Sequence, residues 1–349
     1  MRPASKPAAY AIPGDITTLT GGYIYERRML EGLRAQGRDM RHLELQDGFP
    51  FPDAAAMADA IAQLRALPPD RPVILDGLVF GSIDPEGLAR VTAPVVAMVH
   101  HPLALENGLE PAQADHLYRT ERANLALVAH VLVPSPHTRS ILVERYDVAP
   151  DRITVAPPGT DRPTTAPAPA TPPLILSVGI QHPRKGHDVL IAALMQLVDL
   201  DWRAVIVGQP WDAAHAAQLA GMAAQSGLGA RLDLAGRVEQ ARLDTLWSQS
   251  SVFALATRYE GYGIVFDEAL VRGLPIVSCA TGAVPDTVPQ GAGLLVPPDD
   301  ARAFADALRR VLTGSALRQS LAAASAAAGA RLPSWDDTAR IAGEVLDAL

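Results

Sequence analysis

The chain has 349 residues, 48% of them hydrophobic and 19% charged, which suits two well-buried domains and excludes a largely disordered protein. Its formal charge of −8 argues against general nucleic-acid binding while leaving room for a local basic pocket. The single cysteine, Cys279, rules out an intrachain disulfide, and its apolar neighbourhood marks it as a small core residue.

The first apolar run, at 8–12, is too short for a signal-peptide core, and no stretch approaches about 20 uninterrupted apolar residues. The sequence therefore predicts a cytoplasmic protein, with peripheral contact at the inner face of the membrane left open. Strands are predicted at 8–12, 40–45, 73–75, 94–100, 130–133 and 153–156, with helical patterns between them. The clearest helix covers 23–36 and is closed by Gly37; another starts at Ser135-Pro136, a hydroxyl cap followed by proline. Residues 157–173, PPGTDRPTTAPAPATPP, break the alternation and read as a surface linker. Beyond them strands are predicted at 174–178, 204–207, 232–235, 252–255, 275–278 and 294–296, with helices between and at 303–312 and 316–328. The fold class is thus α/β, with two doubly wound, Rossmann-like halves and a ligand site expected at the carboxyl ends of their strands, in an inter-domain cleft. The predicted boundaries are 1–160, a linker at 161–173, 174–332, and a closing segment at 333–349.

Four segments carry the chemistry. In Thr257-Arg258-Tyr259-Glu260-Gly261-Tyr262-Gly263-Ile264, two glycines permit a tight turn after a strand, and a helix predicted from about 264 to 272 presents unpaired amides that suit a diphosphate. Glu260 lies before that turn and Glu268 just over one turn into the helix, so both carboxylates reach one ligand from different sides, unless the second is simply a surface helical residue. Arg184 and Lys185, just past the strand 174–178, are natural counter-ions for a pyrophosphate or else a solvated basic turn. Gly208 and Gly236, the latter followed by Arg237 and Val238, end two further strands where a nucleotide base has room; ordinary turn glycines fit there equally well. In the first half, Gly21 and Gly22 follow the first strand without dinucleotide-fingerprint spacing, and His100 and His101 end an apolar strand. With no Cys/His metal spacing and no DxD-type pair, neither a metal nor a resident cofactor is expected.

The spacing Glu260-x7-Glu268, in its EGYG…DEAL context, resembles the second-domain signature of the family 4 glycosyltransferases, the retaining group 1 enzymes of GT-B fold. TLTGGYIYERR at 18–28, VHHPLALENGL at 99–109, VLVPSPHTRSIL at 131–142, ITVAPPGTD at 153–161, PRKG at 183–186 and LPSWDDTA at 332–339 are similar to family segments in the family's order. The resemblance implies metal-independent, retaining transfer from a UDP- or GDP-sugar to a sugar, lipid or small-molecule acceptor, with the donor on the second domain. It implies that Arg184 and Lys185 meet the diphosphate with Gly21, Gly22 and the 261–264 turn, Glu260 the transferred sugar and Glu268 the ribose, and that His100 sits near the reacting sugar. It further implies that the segment from Trp335 onward crosses back to the first domain. Many relatives carry an arginine directly after the glycine that follows the first strand of the second domain; here that residue is Ile180. Other GT-B enzymes, such as an epimerase or a phosphorylase, and two-lobed sugar-binding proteins are the competing readings.

Overall fold

The computed structural model describes residues 5–106 and 108–349. Residues 1–4, and Asn107 within the 99–109 segment quoted above, lie outside the described residues. The chain forms two compact units, Met1–Gly159 with Pro333–Leu349, and Thr160–Leu332.

The first unit is a six-stranded parallel sheet of β1 (Ala8–Pro13), β2 (Met40–Leu45), β3 (Val73–Leu75), β4 (Val95–Met98), β5 (His130–Val133) and β6 (Ile153–Val155). Its spatial order is β2-β1-β3-β4-β5-β6. The order reverses between β1 and β3, and open α/β sheets place ligands at such a switch point, beyond the carboxyl ends of the strands. Strands β1, β3 and β4 are buried throughout, which is why they read as unbroken apolar runs rather than as alternating ones. The predicted strand at 94–100 stops at Met98. Val99 still donates its amide to the Leu132 carbonyl at 2.9 Å, but His100 and His101 lie in the loop beyond the sheet. The closing helix, Trp335–Ala348, packs on the helix Gly21–Ala35. A Cβ on Gly32 would stand 2.6 Å from the Ala339 Cβ, so the absence of a side chain at 32 sets how closely the two helices approach. Arg38 fastens this contact, donating to the Asp347 carboxylate at 2.9 Å and the Gly343 carbonyl at 3.0 Å.

The second unit repeats the plan with β7 (Leu174–Val178), β8 (Arg203–Val207), β9 (Leu232–Gly236), β10 (Ser250–Leu255), β11 (Ile276–Cys279) and β12 (Gly293–Val296). The order β12-β11-β10-β7-β8-β9 puts its switch point between β7 and β10. Along β10 the side chains alternate between two cores. Val252 and Ala254 face the helices of one side with Leu190 and Phe304, and Phe253 and Leu255 face the other with Trp247 and Phe266. Each such large side chain removed from water contributes roughly 1.5–3 kcal/mol, so the strand is held from both faces. The proline-rich stretch lies along this unit: Ala168 and Ala170 donate their amides to the carbonyls of Ser248 and Gln249, at 2.8 and 2.9 Å. Cys279 is fully buried, and burial pushes its thiol up to about 12, as expected of an inert core residue.

Candidate functional site

In the second unit the two loops that flank the switch point are stitched together. The loop after β7 turns through a short 3-10 helix, Pro183–Lys185, and ends at Gly186, whose φ of +63° is left-handed. A Cβ there would lie 1.9 Å from the Ala256 carbonyl oxygen, so only glycine lets this loop reach the one that follows β10. The Arg184 carbonyl accepts from the Arg258 amide at 2.8 Å, and Thr257 Oγ1 lies 3.1 Å from the same oxygen. The stitching brings three charges together. Lys185 Nζ stands 2.7 Å from Glu260 Oε1, and an Arg184 guanidinium nitrogen stands 3.4 Å from Glu260 Oε2. Thr257 Oγ1 donates to Glu260 Oε1 at 2.9 Å. Burial pushes the Glu260 carboxyl upward, but the charges of Lys185 and Arg184 outweigh it and hold the group below its ordinary value. The cluster therefore carries one net positive charge at the β7–β10 crevice, on side chains that are nearly buried.

Gly263 caps the following helix, Ile264–Leu270, with φ of +91°. That helix is shorter than the sequence predicts, because Leu274 donates back to the Ala269 carbonyl and the left-handed Gly273 ends it. Its Asp267 is fully buried and accepts from the Tyr262 hydroxyl at 2.7 Å, which braces Tyr262 in the glycine turn. Glu268 is half-buried on the same helix, and burial pushes its carboxyl up to about 7. At the other side of the switch point, Gly208 donates its amide to the Gly236 carbonyl, and a Cβ on Gly208 would lie 1.8 Å from the Gly179 carbonyl oxygen. The glycine at 208 thus lets the ends of β7 and β8 converge, a packing reason that stands beside the expected room for a base. Gly236 is left-handed, with φ of +62°, and Arg237 and Val238 follow it beyond β9.

In the first unit, Gly21 and Gly22 open the helix Gly21–Ala35, and Gly22 lies against His100: a Cβ on Gly22 would be 3.7 Å from His100 Nε2. That nitrogen is 3.3 Å from Glu26 Oε1, and the Tyr25 ring meets the imidazole edge-on at 5.4 Å. Asp76, directly after β3, completes a triangle with Glu26 and His100 in which the ligand-type atoms lie within 4.8 Å of one another. His101 turns elsewhere, 2.6 Å from Glu106.

Two family models cover consecutive parts of the chain: Glycosyltransferase Family 4 over residues 33–162 and Glycosyl transferases group 1 over residues 163–327. The chain belongs to the family 4, group 1 glycosyltransferases. This glycosyltransferase-family chain is 36% identical over 225 residues to the D-inositol 3-phosphate glycosyltransferase of a Nocardioides species, a match covering 57% of this chain and 49% of that protein. It is 31% identical over 236 residues to the protein of the same name from Kineococcus radiotolerans, covering 59% and 54%. The chain thus spans about half the length of the curated relatives it matches. Among solved structures, a sucrose-phosphate synthase from Thermosynechococcus elongatus shares its fold with a TM-score of 0.84 at 22% identity, over 97% of this chain and 98% of that one. Anabaena HepE, in complex with UDP and glucose, does so with a TM-score of 0.79 at 15% identity, over 99% and 100%. The fold of the family 4 chain is GT-B, with two Rossmann-like domains.

The sequence singles out Arg184, Lys185 and Glu260 separately, and the structure brings them into contact. It also brings His100 to Gly22. Four residues around these groups receive no role from the sequence, although Thr257 and Glu26 fall inside segments quoted above. Thr257 hides in the strand-to-loop exit, Glu26 in a helix of ordinary charged composition, and Gly282 among turn residues. Gly282 is left-handed, and a Cβ there would lie 2.3 Å from the Glu260 carbonyl oxygen, which accepts from the Ala283 amide at 2.8 Å. Asp76 left a usable signal: a lone carboxylate directly after a buried Val-Ile-Leu strand.

Proposed function

We propose that the protein transfers a sugar from a nucleotide-sugar donor to a hydroxyl acceptor, with retention of anomeric configuration and without a metal. The observation that carries this reading is the Arg184–Lys185–Glu260 cluster at the switch point between β7 and β10. Lys185 and Arg184 neutralise the diphosphate, whose charge grows as the bond to the sugar breaks, and preorganised cations favour that state without reorganising. Glu260 fixes both cations in place and meets the transferred sugar. Glu268 accepts from the ribose hydroxyls, and the ends of β8 and β9, with Gly208, Gly236, Arg237 and Val238, receive the base. Retention proceeds by attack on the front face, the leaving phosphate oxygen taking the acceptor's proton. A uridine diphosphate in the HepE complex, on the same fold, supports a nucleotide-sugar donor. The acceptor, whether a sugar, a lipid headgroup or a small polyol, binds mainly to the first unit, near His100. No helix among the described residues is long and apolar enough to cross a membrane, so a lipid acceptor would be met at the membrane surface. The test is release of nucleoside diphosphate from UDP- and GDP-sugars with a panel of polyol and sugar acceptors, in excess EDTA. Turnover is expected to survive the chelator; activity that EDTA abolishes and magnesium or manganese restores contradicts the metal-free mechanism.

A further inference from the structure

The first unit has its own switch point, between β1 and β3, and the triangle of Glu26, Asp76 and His100 stands there. Glu26 is 1% exposed and Asp76 4%, two carboxyl groups facing each other in the interior. Asp76 is already engaged: its Oδ1 accepts from the amides of Leu78 at 2.9 Å and Val79 at 3.3 Å, capping the short helix after β3. The titratable groups packed around the pair are Tyr10 from β1, Tyr23 and Tyr25 from the helix that carries Glu26, and His100 from the loop after β4. Asp15 and Asp47 stand beyond Tyr23. Among the described residues, none of these groups is a lysine or arginine. Two ionised carboxylates at this distance, without a fixed cation, repel each other in a medium that screens poorly, so one proton between them is the low-energy arrangement.

We infer that Glu26 and Asp76 share one proton and together hold His100 as the Nε2–H tautomer, which leaves Nδ1 as the acceptor of the ring. The Asp76 carboxyl donates to the Glu26 carboxylate, and Glu26 Oε1 then accepts from His100 Nε2, at 3.3 Å. Burial raises both carboxyls, Glu26 to about 7, and lowers the imidazole, so just above that pH the pair keeps one proton and the ring is neutral. Tyr25 stands edge-on to the ring, and the His100 carbonyl accepts from Thr138 Oγ1 at 3.1 Å, which fixes the backbone that carries it. Glu26 and Asp76 are positioning residues: they act through His100, whose place beside a reacting sugar rests on the function proposed above. The state of the ring does not rest on it.

The test is a two-bond nitrogen–proton correlation spectrum of the full chain labelled with 15N-histidine, with infrared spectra of the same samples at about pH 8. His100 is expected as neutral Nε2–H, and subtracting Asp76→Asn from the wild type should leave a protonated-carboxyl band. Glu26→Gln, whose amide donates as well as accepts, should split His100 into both tautomers, a change that a merely structural role would not produce. It also serves as the variant if Asp76→Asn does not fold. An Nδ1–H ring, a missing carboxyl band, or an unchanged tautomer in Glu26→Gln overturns the inference. So does a shift of the His100 signals on adding magnesium or manganese, which would make the triangle a cation site. A locked tautomer without any sugar-nucleotide turnover would defeat the functional reading and leave this one standing.

Discussion

Replacing Lys185 by alanine removes the closest cation from a carboxylate that is 4% exposed. Breaking a buried pair from one side costs about 3–5 kcal/mol, because the remaining charge is left without its partner. Here Arg184, at 3.4 Å, and Thr257, at 2.9 Å, stay with Glu260, so we expect a loss of about 3 kcal/mol at neutral pH, the lower end of that range. The pH dependence gives the mechanism away. In the wild type Glu260 is held below its ordinary value of 4.5, so its pairing stabilises the fold above that value, and the gain disappears as pH falls through the depressed one. In Lys185→Ala burial has less to oppose it, the carboxyl rises, and the penalty builds as pH climbs above the ordinary value. Urea unfolding should therefore show a large deficit at about pH 7.5 that shrinks markedly at about pH 4.5. In a double-mutant cycle, Glu260→Gln should recover part of the loss, with a coupling of about 2 kcal/mol. Equal deficits at the two pH values, or strictly additive mutations, would show that Lys185 does not hold the Glu260 charge. The same cycle guards the functional assay, since it shows how much of the protein is folded when donor binding is measured.

Glu260→Gln should mainly lower kcat, because contacts to the sugar tighten as charge develops at the anomeric carbon. Glu268→Gln should mainly raise donor KM and weaken the free nucleoside diphosphate. Calorimetry with the sugar-free ligand decides between them, and equal weakening by both variants would reject the division of roles. Burial also pushes Glu121 up to about 8, on the helix Pro111–Leu127, where it contacts Tyr146 and the Leu103 backbone. A raised group stabilises fully below its ordinary value and loses that contribution as pH rises through the folded one, so wild-type stability should fall between about 4.5 and about 8. The full shift corresponds to on the order of 5 kcal/mol, and Glu121→Gln should flatten that part of the urea-midpoint profile; an unchanged slope would show that Glu121 does not titrate there.

The two sheets were legible because their strands are buried on both faces and therefore stand out as short apolar runs between polar, periodic helices. Errors fell at the ends. The run 94–100 looks like one strand because Val99 is as apolar as Val95, and only the sheet's register shows that pairing stops at Met98. The helix after the glycine turn looked longer because nothing before Gly273 signals a stop, although Leu270 is its last residue. Arg184, Lys185 and Glu260 could be found one by one from their places at strand ends. Their contact could not, since it depends on β7 and β10 being neighbours although Val178, which ends the one, and Ser250, which begins the other, are 72 positions apart (250 − 178). The meeting of Glu26 and Asp76 was hidden for the same reason: it depends on β3 lying beside β1, although Asp76 itself stands directly after a buried strand.

On the proposed function, the second unit binds a nucleoside diphosphate through Lys185 and Arg184. Calorimetric titration of the full chain with UDP, GDP and ADP, in EDTA, tests it most directly. UDP or GDP is expected to bind without added metal and more weakly at higher salt, and Lys185→Ala is expected to weaken binding at least tenfold in samples shown to be folded, as the loss of a charge-assisted bond of roughly 1.5–3 kcal/mol requires. Binding that appears only with added magnesium or manganese, binding of the same strength in the folded Lys185→Ala protein, or no binding of any nucleoside diphosphate would contradict it.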